Sequence, residues 1–170
     1  MELDSAKARA LRILGSRAMS ANEIEKRLIN KGESDETARE VVQWLEEIGA
    51  VNDCDLARII VNHYSSKGYG IARIRDELFK RGVPRYFWDT ALENLEEETH
   101  DDAAVAYLEK KLKGSTDKDD LRRAENALCR RGFSYDEARS AVMKYLKHLE
   151  ELEELEELEE LEELEETGAM

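Results

Sequence analysis

Proline occurs once in the chain, cysteine twice, and aromatic residues make up only 6% of it. One proline and nine glycines leave too little turn chemistry for an all-β fold, which needs punctuation about every ten residues. Cys54 and Cys129 stand alone, with no CxxC pair and no disulfide-style spacing, as expected for a protein of a reducing cytosol. No apolar run approaches the ~20 residues of a membrane span. The opening Met1-Glu2-Leu3-Asp4 lacks the basic-then-apolar order of a signal peptide, so the expected location is the cytoplasm. His63, His100 and His148 are scattered, without cysteine or carboxylate partners at ligand spacing, and no metal site is expected. The glycines include no strand-to-helix phosphate loop: Lys67-Gly68-Tyr69-Gly70 is not followed by Gly-Lys-Ser/Thr. No nucleophile, base and orienting group can be assembled. The expectation is a protein without catalytic residues, metal or cofactor.

Charge, by contrast, is abundant. The formal net charge of the 170 residues is -14, from 26 Lys and Arg against 40 Asp and Glu. Twelve of those glutamates lie in residues 150–166, so residues 1–149 carry 26 basic and 28 acidic side chains, a net of -2. Residues 101–149 alone have eleven basic against nine acidic residues. The body is therefore nearly neutral with a basic last third, and the acidity belongs to the tail.

Set against itself at an offset of fifty, the body aligns three times. Leu28, Leu78 and Leu128 each precede a basic residue and a glycine at the same distance: Lys31-Gly32, Arg81-Gly82 and Arg131-Gly132. The apolar stripes that follow also correspond, Ala38, Val41, Val42 and Leu45 with Trp88, Ala91, Leu92 and Leu95, then Ala138, Ala141, Val142 and Tyr145. A period of this length marks repeated supersecondary units that stack to share a core. Within the first unit, Ala10, Leu11 and Leu14 predict one helix, Ile24 and Leu28 a second that stops at Gly32, and a third follows Ser34. Asp55 is the expected cap of the next helix, and Pro84 is expected in the first turn of a later one. Ser20 with Glu23 and Ser134 with Glu137 have capping-box spacing. Asp101-Asp102 and Asp119-Asp120 read as acidic first turns. The fold class is all-α: three tandem three-helix repeats, residues 1–52, 53–100 and 101–149, in an elongated, curved array. Residues 150–170 form an acidic Leu-Glu-Glu tail. Leucines three apart wind round a helix and make no stripe, so the tail is expected as a fraying extension of the last helix or as disordered chain. Its glutamates could fold back over the basic third repeat.

Three segments carry a resemblance. KGYGIARIRDELFKRGVP, from Lys67 to Pro84, resembles the signature segment of the RecX family of regulators of the RecA recombinase. ALRILGSRAMSANEIEKRL, from Ala10 to Leu28, is similar to its first repeat, and AENALCRRGFSYDEARSAV, from Ala124 to Val142, to its last. Coverage is about residues 5–147, in family order. Ala50 stands where the family usually has an aromatic after Gly49, and the tail matches nothing in it. The resemblance implies three three-helix repeats, binding to the RecA–DNA filament, and inhibition of strand exchange and of the filament's ATP hydrolysis. It places the chain in DNA repair, recombination and the SOS response, as a non-catalytic monomer. The competing reading from the residues alone is a helix-turn-helix-like nucleic-acid-binding module. A body charge of -2 leaves room for only a weak contact with DNA.

Candidate partner-binding residues are Lys67, Tyr69, Arg73, Arg75, Lys80 and Arg81 in the middle repeat, and Arg122, Arg123, Arg130 and Arg131 in the third. Such residues can meet acidic protein patches or phosphates, or they can be solvated faces paired with Asp76, Glu77, Asp119 and Glu125. Tyr69 likewise has two readings, a packing residue between helices or an exposed contact anchor. Trp88 falls on an inward stripe, whereas Trp44, beside Leu45, is placed between units.

Overall fold

A computed structural model describes residues 2–93, 95 and 97–168, and every regular element among them is helical. Nine helices follow in order: α1 (Glu2–Leu14), α2 (Ala21–Asn30), α3 (Asp35–Glu47), α4 (Asp53–Ser66), α5 (Ile71–Lys80), α6 (Tyr86–Glu93), α7 (Glu97–Leu112), α8 (Lys118–Arg130) and α9 (Tyr135–Gly168). They bury three separate apolar clusters, one per unit. Ile24, Leu28, Ala38, Val41 and Leu45 centre the first. Leu56, Ile60, Val61, Ile74 and Leu78 centre the second. Leu108, Ala124, Leu128, Ala138 and Tyr145 centre the third. Burying one such leucine contributes about 1.5–3 kcal/mol, so each cluster is a small core that depends on its neighbours for more.

The fifty-residue signature has a concrete local cause. The amides of Gly32 and Glu33 donate to the carbonyls of Ile29 and Leu28, at 2.9 and 3.1 Å. Gly82 and Val83 repeat this on Phe79 and Leu78, and Gly132 and Phe133 on Cys129 and Leu128. This is a Schellman cap, which satisfies the orphan carbonyls at a helix end and needs a left-handed residue just past it. The three glycines supply φ of +95°, +68° and +97°. Leu78 with Val83, and Leu128 with Phe133, are the apolar pairs that close the cap, all four buried. The motif thus reads as cap leucine, C-cap base, left-handed glycine.

Other local expectations are corrected in part and met in part. Asn52, rather than Asp55, caps α4, its side chain accepting the Asp55 amide at 3.1 Å. Pro84 lies ahead of α6 rather than within its first turn, its carbonyl accepting the Phe87 amide at 3.1 Å. Leu11 is 46% exposed, while Ala10 faces inward as expected and Ala6 joins it. Asp101 and Asp102 sit in the second turn of α7, which begins at Glu97 and so crosses the expected boundary at 100/101. Trp44 packs on the first core with the Lys7 ammonium 4.8 Å from its ring centroid, so it belongs inside the first unit. Trp88 joins the second core, its indole N–H bonded to the Val83 carbonyl at 2.9 Å. The Ser134–Glu137 capping box forms in full. At Ser20 only the serine half forms, because Glu23 turns to Arg17 and Arg27.

The tail continues α9 without a break, and its leucines from Leu152 to Leu164 are 44–67% exposed. Extending an existing helix needs no new nucleus, and leucine and glutamate propagate it well. Folding back over the third repeat is not observed: Arg122 and Arg123 pair with Asp119 and Asp120 instead.

Gly32 and Gly132 separate backbone strain from packing. A Cβ at Gly32 would meet nothing within 4 Å, whereas one at Gly132 would lie 2.5 Å from the Arg73 nitrogen. Gly32→Ala should cost about 1–2 kcal/mol from the left-handed backbone alone. Gly132→Ala should lower the urea midpoint at least twice as far. Equal midpoints for the two variants would contradict the close packing at Gly132.

Candidate functional site

Each Schellman cap leaves the carbonyl of its basic C-cap residue without an intrahelical partner, and for Arg81 and Arg131 the preceding unit takes it up. At the first joint the Ser20 hydroxyl donates to the Arg81 carbonyl at 2.6 Å, and the Arg81 guanidinium reaches back to the Ala18 carbonyl at 2.7 Å. The Glu23 carboxylate lies 3.8 Å from the same guanidinium. Fifty residues on, the Gly70 amide donates to the Arg131 carbonyl at 2.9 Å. The Arg131 guanidinium donates to the carbonyls of Gly68 and Lys67, at 2.8 and 2.6 Å. Ser20 and Gly70 occupy equivalent positions, and so do Ala18 and Gly68. Where the first joint uses a side-chain hydroxyl, the second brings backbone against backbone: a Cβ on Gly70 would stand 2.1 Å from the Gly132 carbonyl carbon.

The second joint also opens a cleft of about 410 Å³, lined by Lys67, Tyr69, Tyr107, Lys110 and Arg131 among others. The Arg131 guanidinium carbon sits 4.0 Å from the Tyr69 ring centroid and 4.5 Å from that of Tyr107. Cation–π contact of this kind is worth about 0.5–2 kcal/mol. Tyr69 also meets Tyr64 edge-on at 5.5 Å. It therefore packs between helices and still lines the cleft, so both of its expected roles have a geometric basis. Lys67 and Lys110 are exposed at the rim. A cleft with two ammonium groups, one guanidinium and two phenol rings can take a carboxylate or phosphate with an apolar edge.

The remaining candidate residues scatter. Arg73 and Lys80 converge on Glu77, at 3.0 and 3.3 Å. Burial alone would raise the Glu77 carboxyl, but hydrogen bonds from Lys80 and Tyr64 and the charges of Lys80 and Arg73 hold it below the ordinary carboxylate range. Arg122 and Arg123 are 75% and 73% exposed and paired within α8. Arg75 and Arg130 are exposed and make no ion pair among the described residues. So Lys67, Tyr69 and Arg131 come together, Arg81 serves the other joint, and Arg75 and Arg130 present free guanidinium groups. Among the described residues no three His, Cys, Asp or Glu side chains could hold a metal ion. No helix among them is long and apolar enough to cross a membrane.

Ser20 is legible in the sequence only as a helix cap, and Tyr107, Lys110 and Asp53 are not among the candidate partner-binding residues. The fifty-residue offset would have found Ser20, as the counterpart of Gly70. Asp53 gave no such signal, because its counterpart is Ala103. Buried at the start of α4, Asp53 accepts the Ala21 amide of the first unit at 3.0 Å.

Residues 6–45 match the family model for the first three-helix domain of RecX, and residues 52–92 the model for the second. The regulatory protein RecX of Stenotrophomonas maltophilia (strain R551-3) is 32% identical over 137 residues, covering 79% of this chain and 83% of that protein. The chain belongs to the RecX family. The regulatory protein RecX of Pelodictyon phaeoclathratiforme is also 32% identical, over 139 residues, with 78% of this chain and 84% of that protein covered. The crystal structure of RecX from Lactobacillus salivarius superimposes with a TM-score of 0.76 at 19% identity, over 84% of this chain and 96% of that one. That likeness supports the three-unit RecX fold. The first two units, as delimited by the joints, each contain one matched RecX domain.

Asp53 makes the first joint sensitive to pH. Burial raises its carboxyl above the ordinary value of 3.8, and the Ala21 hydrogen bond offsets this only in part. The folded state therefore holds the proton more tightly than the unfolded chain, and this contribution to stability is lost as pH rises through the folded-state value. Asp53→Asn keeps an acceptor for Ala21 and removes the charge. It should raise the Tm at pH 7, with the gain vanishing below pH 3.8. A gain that grows on acidification would contradict the burial argument.

Proposed function

We propose that this chain regulates a RecA recombinase without catalysing a reaction, by binding the RecA–DNA filament and lowering its ATP hydrolysis and strand exchange. The observation that carries this reading is membership of the RecX family, whose relatives are named regulatory proteins. The physical arrangement supports it. Three small units in a row give several weak contact points, and once one is engaged the others bind at high effective concentration. A filament of identical protomers offers matching points at regular intervals. Such binding needs no enclosed active site. On this reading the protein works in the cytoplasm as a monomer.

The partner-binding set divides by what each side chain already does. Arg75, Arg130, Lys67 and Lys110 have charged groups available to carboxylates or phosphates of the filament. Arg73, Lys80, Arg122 and Arg123 must exchange an internal carboxylate for an external one, which weakens their net contribution. Arg81 and Arg131 place their planar guanidinium groups in the joints, so they would act on the filament chiefly by fixing the orientation of successive units.

The test is inhibition of the single-stranded-DNA-dependent ATPase of RecA. The charge reversal Arg75→Glu with Arg130→Glu should raise the half-inhibitory concentration about tenfold, a loss of about 1.4 kcal/mol. Helical signal and Tm should stay close to wild type, since exposed substitutions of this kind usually move stability by less than about 0.5 kcal/mol. An unchanged half-inhibitory concentration would place the binding surface elsewhere. Binding to naked single-stranded DNA as tight as to filaments, with a steep salt slope, would favour the nucleic-acid-binding module.

A further inference from the structure

The joint between the second and third units carries a second cleft, distinct in chemistry from the basic one. It measures about 720 Å³ and is lined by Ile71, Leu92, Leu95, His100 and four carboxylates, Glu93, Asp101, Asp136 and Glu137. The two clefts use different faces of α7: His100 and Asp101 line one, Ala103, Tyr107 and Lys110 the other.

His100 is the feature that the fold leaves unexplained. It is 5% exposed, its ring lies 4.8 Å from that of Phe133 at 30°, and neither ring nitrogen has a hydrogen-bond partner among the described residues. The Glu137 carboxylate faces it, with Oε1 4.0 Å from Nε2. Glu137 uses its other oxygen to accept the Ser134 amide at 2.6 Å, which fixes the carboxylate at the wall of the cleft. Asp101 pairs with Lys144. Glu93 and Asp136 have no hydrogen-bond or ion-pair partner among the described residues.

We propose that this cleft is a socket for an arginine side chain presented by a protein partner. The aliphatic floor of Ile71, Leu92 and Leu95 suits the methylene stem, which long basic side chains bury while keeping the head in a polar setting. Carboxylates contributed by α6, α7 and α9 suit the planar head, whose five N–H donors can serve several acceptors at once. A neutral His100 adds one more acceptor. Burial holds its pKa below the ordinary 6.5, against the opposing pull of Glu137 and Asp101, so the imidazole is neutral at pH 7 with one bare nitrogen. The cleft is therefore rich in acceptors, and a guanidinium supplies only donors. This inference goes beyond the filament reading and does not depend on it, because the socket can be probed with no recombinase present.

His100 supplies its own reporter, with His63 and His148 as references elsewhere on the chain. An acetylated, amidated alanine–glycine peptide carrying a single arginine is titrated into the protein at pH 7, and the imidazole C–H resonances are followed. The His100 signal should shift saturably while those of His63 and His148 stay in place. The same peptide with citrulline in place of arginine should produce less than a fifth of that shift. Glu93→Gln with Asp136→Asn should likewise reduce it at least fivefold while the helical signal is unchanged. Equal shifts with arginine and citrulline, or no His100 shift, would overturn the proposal. Should the double variant lose its fold, the arginine–citrulline comparison on the wild-type chain decides the question alone. Spermine moving His100 more strongly than the peptide would overturn the protein source and assign the cleft to a free polyamine.

Discussion

Each helix that ends in a Schellman cap leaves its C-cap carbonyl without an intrahelical partner, and in this chain that carbonyl becomes the fastening point between units. Arg81 and Arg131 each offer one such carbonyl to the preceding unit and send a guanidinium back into the same loop. Backbone geometry places the residue and long basic side chains complete the contact. The rest of the architecture follows from this. Units with small separate cores are fastened here by a joint that is short, polar and repeated. The Lys31 carbonyl, at the same position in the first unit, accepts from Arg9 of that unit, at 3.3 Å.

Much of this was legible in the sequence, and the reason is the period. Leucine, base and glycine recur because a Schellman cap demands a left-handed residue and an apolar closure, and both demands are local. Helices, cores and cap positions follow from such local rules. What stayed hidden depends on pairs far apart in the chain. Arg81 and Arg131 read as surface charges because their acceptors, Ala18, Gly68 and Lys67, lie more than sixty residues away. The third unit also departs from the period, since Ala57 and Val61 of α4 match Ala104 and Leu108 of α7 at an offset of forty-seven. The loop-to-α8 segment absorbs the difference. Tyr107 and Lys110 therefore fell outside the fifty-residue alignment, although they share a cleft with Tyr69. His100 gave no signal because its character comes from Phe133 and Glu137 of the neighbouring segment.

Charge is sorted by place rather than averaged over the molecule. The net charge of -14 is dominated by a helical extension that touches none of the joints, while the body sets a basic cleft and an acidic one on different faces of α7. An exposed charge acts over about 10 Å at 0.1 M salt, so these surfaces behave separately. The proposed filament binding and the two clefts occupy different scales: in that proposal the array offers repeated points along a partner, whereas the joint offers local chemistry.

The C-cap arginines couple consecutive units, and Trp44 and Trp88 report on opposite sides of the first joint. Single-tryptophan proteins, Trp44→Phe and Trp88→Phe, can each be unfolded in urea with and without Arg81→Gln. With Arg81 present, the first and second units should unfold together, with coincident midpoints from the two probes. With Arg81→Gln, the Trp44 transition should move to lower urea and separate from that of Trp88. Coincident transitions that survive the substitution would contradict the coupling role assigned to the repeated arginine.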